Sequence, residues 1–245
     1  MKVLATYNIK GGVGKTSTAV NLAYLSAREG RRTLLWDLDP QAAATYLFRV
    51  RPRVKGGSHA LVTRSWPLDA ALKATDFDNL DLLPADFSYR NMDLDLDDTK
   101  KRTRRLGKLL SSVADDYDTV FLDCPPSVSL VSENVLHASD TLLVPLIPAT
   151  LSLRTLDQLT RFVADSEGSR PEIVAFFSMA DRRKRLHRDV IDTIPRDGTR
   201  IADTVIPSLA IIEQMAERRA PVSAFAPASR AALCYEQLWA EVRPS

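Results

Sequence analysis

Ten residues near the start of the chain constrain its fold more than any other stretch. Asn8-Ile9-Lys10-Gly11-Gly12-Val13-Gly14-Lys15-Thr16-Ser17 contains Gly-Lys-Thr, the close of the phosphate-cradling pattern G-x-x-x-x-G-K-[ST]. An apolar run from Val3 to Asn8 leads in and reads as a buried strand. A helical pattern from Lys15 to Glu29 leads out, with Ala19, Leu22, Ala23, Ser26 and Ala27 on one face and Gly30 placed to stop it. Glycines let the backbone come close to an anion and turn its N–H groups toward it, and the helix N-terminus adds partial positive charge. In that setting Lys15 reaches β- and γ-phosphates and the Thr16 hydroxyl ligates Mg²⁺.

The match is off by one residue. A strict pattern puts its first glycine at position 9, which is Ile9, and position 10 holds a second lysine. A turn that begins one residue later, at Gly11, absorbs the misfit and leaves Lys10 at the mouth of the loop. On spacing alone Lys10 is equally a solvated lysine or a second cation beside the phosphates.

The rest of the chain alternates short apolar strands with helical patterns. Strands are expected at Thr33–Trp36, Leu80–Leu83, Thr119–Leu122, Thr141–Val144 and Ile173–Phe177, and helices over 100–115, 151–166 and 228–242. This predicts an α/β fold: a doubly wound, mostly parallel sheet with helices on both faces, of the P-loop NTPase type. Ligands of such sheets bind at the carboxyl ends of the strands. A chain of 245 residues is expected to make one P-loop domain, 1–245, with no N-terminal helix-turn-helix extension. Residues 49–75, with several basic residues and a glycine pair, read as a surface excursion. The acidic run Asp93–Asp98 next to the basic run Lys100–Lys108 reads as a charge switch able to cap a helix start.

Three carboxylates sit at strand ends. Asp37 and Asp39 are two apart, so both can face one side, and Pro40 stops the strand after them. Asp123 ends the apolar run Tyr117–Asp123, where a carboxylate commonly holds Mg²⁺ through water. Each could instead cap the next turn.

A formal net charge of +2 does not mark a nucleic-acid binder, so any basic surface must be local. The two cysteines, Cys124 and Cys234, lie far apart, which argues against a disulfide framework or zinc site and suits a reducing cytoplasm. No signal peptide is read at the N-terminus, and no apolar run approaches bilayer length. The three histidines, His59, His137 and His187, fall in no motif and read as surface or packing residues.

Taken in order, the segments resemble one family. KGGVGKTS is similar to the deviant Walker A loop of the ParA/MinD-type ATPases. LLWDLDPQAAAT resembles their switch I, DLLPA at 81–85 their middle strand, and YDTVFLDCPPS at 117–127 their Walker B and switch II. Residues 133–159 and 206–242 resemble the later segments, so the likeness spans nearly the whole chain, and DLDPQ with DCPPS points to the ParA branch of partition ATPases. The resemblance implies an ATP hydrolase using ATP and Mg²⁺, with Lys10, Gly11, Gly12, Val13, Gly14, Lys15, Thr16 and Ser17 on the nucleotide. Pro207, by position, is a further nucleotide contact. Thr16, Asp39 and Asp123 would serve the metal, and Lys10, Lys15 and Asp39 catalysis. Asp39 matches the switch I aspartate that orients the attacking water. Lys10 matches the signature lysine, which reaches across an ATP-sandwiched homodimer to the partner's phosphates much as an arginine finger does.

ParA relatives also bind DNA without sequence preference when ATP-dimerised. The densest basic run in the second half supplies the candidates Arg182, Arg183, Lys184, Arg185 and Arg188, with Arg154, Arg196, Arg200, Arg218 and Arg219 as weaker ones. The arginine-rich PRN-type stretch of many chromosomal relatives is replaced here by VIPSLAIIEQMAERR. The implied protein is cytoplasmic and nucleoid-associated, and slow to hydrolyse ATP until stimulated by a ParB-like or other cargo adaptor. Two rival readings are a metabolic ATP-dependent ligase resembling dethiobiotin synthetase and a MinD-like membrane-associated ATPase. Against the latter, the last helix puts Ala231, Tyr235, Leu238, Trp239 and Val242 on one face and the acidic Glu236 and Glu241 on its polar side, an arrangement that predicts core packing and no membrane partner.

Overall fold

In the computed structural model, which describes residues 1–166, 170–194 and 199–244, the apolar strands form one eight-stranded sheet. The strands are β1 (Lys2–Thr6), β2 (Thr33–Asp37), β3 (Lys73–Ala74), β4 (Leu80–Leu83), β5 (Thr119–Asp123), β6 (Thr141–Leu146), β7 (Glu172–Ala180) and β8 (Arg200–Pro207). Their spatial order is β3-β4-β2-β5-β1-β6-β7-β8. All neighbours are parallel except the short β3, which runs antiparallel to β4.

Side chains alternate between two cores, as a sheet covered on both faces requires. Val3, Ala5, Leu34, Trp36, Val120 and Leu122 enter one core; Leu4, Leu35, Phe121 and Leu143 enter the other. The second core is closed by α1 (Lys15–Arg28) and by the last long helix, Arg230–Val242. The first is closed by α2 (Leu130–Ala138), α3 (Thr150–Asp165), α4 (Arg185–Thr193) and shorter helices at 57–63, 92–97 and 105–110. The last helix is hereafter α5. Its predicted apolar face (Ala231, Tyr235, Leu238, Trp239 and Val242) is buried, its Glu236 pairs with Arg28 at 2.7 Å, and Leu233 is the large apolar side chain it leaves exposed.

Two expectations are corrected. Residues 49–75 are not a surface excursion: Val54, Leu61, Val62, Leu68 and Ala71 are buried in the first core, with Leu61 and Val62 fully excluded from solvent. Burying a side chain of this size contributes about 1.5–3 kcal/mol. The charge switch does not cap the helix at 105–110 either. Met92–Asp97 forms its own short helix, and the cap is Asn134 Oδ1, which accepts from Arg105 N at 2.7 Å and Leu106 N at 3.1 Å.

β8, not foreseen from the sequence, is an edge strand whose register with β7 is shifted between Ile201 and Val205. The bulge frees backbone donors, and Glu241 of α5 takes two of them, accepting from Asp203 N at 2.7 Å and Thr204 N at 2.9 Å, together with the Thr204 hydroxyl. Charge-assisted bonds of this kind are the stronger ones. Glu241→Ala is therefore expected to cost about 1–2 kcal/mol of stability, read as a lower urea midpoint. An unchanged midpoint would show that the bulge holds itself.

Candidate nucleotide site

The site grows from the carboxyl ends of three adjacent strands. Thr6 of β1, Asp123 of β5 and Asp37 of β2 stand in one row across the sheet. Past Thr6, Asn8 pins the start of the glycine loop: its Nδ2 donates to Pro145 O at 2.8 Å and its Oδ1 accepts from Lys10 N at 2.9 Å. The loop then turns through two left-handed residues, Gly12 (φ 70°) and Gly14 (φ 93°), which glycine tolerates best. Gly14 is the N-cap of α1, so the free N–H groups of the first helical turn face the loop's concave side. Ser178 of β7 closes in from behind: a Cβ on Gly14 would lie 2.7 Å from its Oγ.

The loop opens into a cleft of about 340 Å³. It is lined by Gly11, Gly12, Gly14, Lys15, Thr16, Ser17 and Asp39 together with Ser178, Met179, Ile206, Pro207, Ser208, Leu209 and Ile212. The cleft thus brings the expected loop residues other than Lys10 and Val13, with Asp39 and Pro207, together in one space. Val13 is different: its side chain is buried, so it can offer a ligand only its main chain. Lys10 stands half-buried at the mouth and does not line the cleft. Met179, like Pro207 a candidate by position in the sequence, lines the cleft, whereas Ser178, Ser208 and Ile212 were missed from sequence. Met179 carries a local signal only in the coordinates, a non-glycine φ of 54°.

Lys15 is buried, and its Nζ donates to Lys10 O at 2.9 Å. Burial lowers its pKa, against the charges of Asp123 and Asp39, which favour the ammonium. Asp123 is fully buried. Its Oδ1 accepts from the Thr6 hydroxyl at 3.4 Å, while its Oδ2 has no partner. Burial pushes its pKa well up, the Asp37 and Asp39 charges add to this, and the Thr16 hydroxyl and Lys15 oppose it.

Asp37 parts company with Asp39. It is wholly buried, and its Oδ2 accepts from Thr45 N at 2.8 Å and from the Thr45 hydroxyl at 2.7 Å; its Oδ1 accepts from Asp39 N at 3.2 Å. Burial raises its pKa to about 6 against these bonds. Asp37 is the brace of the segment and Asp39 its presented carboxylate. Asp39 Oδ1 accepts from Gln41 N at 2.9 Å.

An orphaned, buried Asp123 oxygen beside the Thr16 hydroxyl fits a divalent cation, which would also relieve the cost of an ionised Asp123. Among the described residues no cluster of three or more His, Cys, Asp or Glu side chains forms a self-sufficient metal site. Magnesium at Thr16 and Asp123 would take its remaining ligands from phosphate and water, its usual preference.

None of the three histidines lines the cleft. His187 is buried and accepts from Asp181 N at 3.1 Å, and His59 meets Asp95 on the surface. Cys124 is buried, as a small packing residue would be.

The basic run at 182–188 leads from β7 into α4, and Arg182, Arg183, Lys184, Arg185 and Arg188 are all exposed. They are not equally free. Arg183 grips Asp181 through two bonds of 3.0 Å, which pulls the Asp181 pKa down to about 2. Arg185 pairs loosely with Asp189 at 3.5 Å. Among the described residues, Arg182, Lys184 and Arg188 have no ion-pair partner, although Arg188 donates to Arg182 O at 2.6 Å. Of the weaker candidates, Arg154 is exposed, Arg200 is paired with Glu172, Arg219 is held by Tyr46, and Arg196 lies outside the described residues.

Known proteins resemble the chain in both sequence and fold. A family model for an AAA domain matches residues 1–172. The chain is 33% identical over 247 residues to the sporulation initiation inhibitor protein Soj of Bacillus subtilis (strain 168), covering 98% of each. It is 37% identical over 216 residues to the chromosome partitioning protein ParA of Caulobacter vibrioides (strain NA1000 / CB15N), covering 84% of this chain and 80% of that one. Among solved structures, cobyrinic acid a,c-diamide synthase from Mycobacterium smegmatis superposes with a TM-score of 0.82 at 28% identity, covering 98% of this chain and 93% of that one. It has been solved with ADP and magnesium and with an ATP analogue and magnesium.

Proposed function

The chain belongs to the ParA/Soj-type family of partition ATPases, and on that premise we propose that it is an ATP-driven positioning switch for DNA or another large cargo. In this reading it binds MgATP, pairs with a second copy, holds DNA without sequence preference, and lets go when a partner speeds hydrolysis. One observation carries the hydrolase part: a glycine cradle at a helix N-terminus, Lys15, Thr16 and Asp39 line one cleft, with the unpartnered Asp123 oxygen next to it.

Each residue then has a task. The loop N–H groups and Lys15 take the phosphates. Thr16 and Asp123 would hold magnesium, which would neutralise charge between the phosphates. Asp39 orients the attacking water, held in place by the Asp37 brace beneath it. Lys10, at the mouth, supplies a cation to the second copy's nucleotide. Pro207 and the apolar cleft residues beside it seat the base. Catalysis of this kind is positioning and charge neutralisation, so low intrinsic turnover is natural.

The DNA-facing surface is assigned to the exposed run at 182–188, with Arg182, Lys184 and Arg188 as its freest cations. Pairing doubles the patch, and phosphate contacts add steeply. A DNA-retention assay with ATP, ADP and no nucleotide, each with magnesium, tests the reading. Retention is expected with ATP alone, to fall with salt, and to drop when Arg182, Arg183, Lys184 and Arg185 are changed to Glu while nucleotide still binds. Equal retention in all three nucleotide states removes the switch; retention untouched by charge reversal moves the DNA face elsewhere. A second reading, a ligase acting on a small molecule, is favoured by the structural likeness to the diamide synthase. ATP turnover dependent on a small substrate would support it.

A further inference from the structure

The switch segment that carries Asp39 is held from outside by Arg219, which lies a few residues past the cleft-lining segment 206–213. Asp39-Pro40-Gln41 leads into a five-residue helix, Ala43–Leu47, flanked by two residues in the left-handed region, Ala42 (φ 57°) and Arg49 (φ 61°). A short helix between two such residues has little support of its own. Its inner side is fixed by Thr45, whose hydroxyl donates to Asp37 and accepts from Ala85 N at 2.9 Å. Its outer side meets Arg219. The Arg219 Nε donates to Tyr46 O at 2.9 Å, and the guanidinium lies over the Tyr46 ring, 4.5 Å from its centroid. Arg49 answers by donating to Arg218 O at 3.1 Å.

Arg219 is itself mounted rigidly. Ile206, Pro207, Ser208, Leu209 and Ile212 line the cleft, and this segment leads into helix Met215–Arg218. Met215 is buried and its Sδ accepts from Asn21 Nδ2 at 3.3 Å; Val222 N donates to Asn21 Oδ1 at 2.8 Å. Asn21, wholly buried on α1, thus clamps the turn on both sides of Arg219. Arg219 sits at the tip with φ 50°, a backbone cost accepted where a side chain must be aimed.

We infer that Arg219 is a positioning residue for Asp39: it ties the base end of the cleft to the switch helix, so that seating of the base fixes the carboxylate at the phosphate end. This rests on the ATPase reading above. It also removes Arg219 from the DNA candidates, since its guanidinium is already spent on Tyr46. Misplacing a positioning group can cost up to about 10²-fold in rate.

The test compares the full chain with Arg219→Ala, Arg219→Lys and the nearby Glu217→Ala, whose exposed side chain makes no hydrogen bond or ion pair among the described residues. All are first checked for unchanged melting. Amide hydrogen exchange across residues 42–47 is read without nucleotide and with ADP and magnesium, and single-turnover ATP hydrolysis is read beside fluorescent-ADP binding. Arg219→Ala is expected to speed exchange at 42–47, to lose the protection ADP confers there, and to lower kcat about tenfold with KM within about twofold. Arg219→Lys should recover part of both, and Glu217→Ala should match the parent. Unchanged exchange in Arg219→Ala overturns the tether whatever the turnover. Faster exchange with undiminished kcat, or a loss confined to KM, overturns the positioning role. A parent chain that binds nucleotide but never hydrolyses it overturns the ATPase reading instead, and the exchange data then judge the tether alone.

Discussion

Lys10→Ala is expected to abolish ATP-driven pairing of two chains and to cut partner-stimulated hydrolysis by about 10³-fold or more, the range of an arginine finger, while one chain still folds and binds nucleotide. The separation of effects follows from what Lys10 does within its own chain. Only its main chain is used there: the N–H is pinned by Asn8 and the carbonyl accepts from Lys15. Alanine keeps both. The Lys10 side chain stands at the cleft mouth and does not line the cleft, so its removal takes nothing from the local phosphate cradle. Light scattering with magnesium and a non-hydrolysable ATP analogue reads the result. A parent chain that stays single under those conditions, or a variant that pairs as well as the parent, defeats the proposed exchange of cations between copies.

The contrast between Lys10 and Lys15 also marks what the sequence made readable. Lys15, Thr16 and the two flanking elements follow local rules, a spacing of glycines between a strand and a helix, so the loop could be placed from one stretch of chain. The parallel sheet was readable for the same reason: runs such as Leu34–Trp36 and Val120–Leu122 are apolar without alternation because both faces are covered. What stayed hidden depends on partners distant in sequence. β8 alternates weakly and is held in part by Glu241, so nothing between 200 and 207 announces it. The segment at 49–75 carries its charges at the surface and its few apolar residues inward, and its basic residues masked Leu61 and Val62. Asp37 and Asp39 look alike in sequence. Only Thr45, eight residues on, turns one into a buried brace and leaves the other in the cleft. Asn134 as the cap of a helix 28 residues away was unreadable by any local rule.

Ser178 is the clearest such case, and it sharpens the second prediction. Gly12 and Gly14 share a positive φ, but a Cβ on Gly12 would meet nothing within 4 Å, whereas one on Gly14 would meet Ser178 Oγ at 2.7 Å. Gly12→Ala therefore bears only the left-handed backbone cost, about 1–2 kcal/mol. Gly14→Ala bears that cost and a clash against a buried side chain, in all about 2–4 kcal/mol. The loop cannot slide away cheaply, because Gly14 O accepts from both Thr18 N at 3.0 Å and the Thr18 hydroxyl at 2.8 Å, which fixes the first turn of α1. If the loop does yield, its N–H groups leave the phosphates, so nucleotide affinity is expected to fall by about 10²-fold or more, each 1.4 kcal/mol being a factor of ten. Ser178→Ala removes the offending oxygen and leaves a Cβ contact of 3.9 Å, an ordinary one. The double variant Gly14→Ala/Ser178→Ala should then resemble Gly12→Ala in both denaturant midpoint and fluorescent-nucleotide affinity. If the double variant is no better than Gly14→Ala, backbone conformation alone explains the glycine; if Gly14→Ala binds nucleotide like the parent, the cradle is not where the phosphates sit.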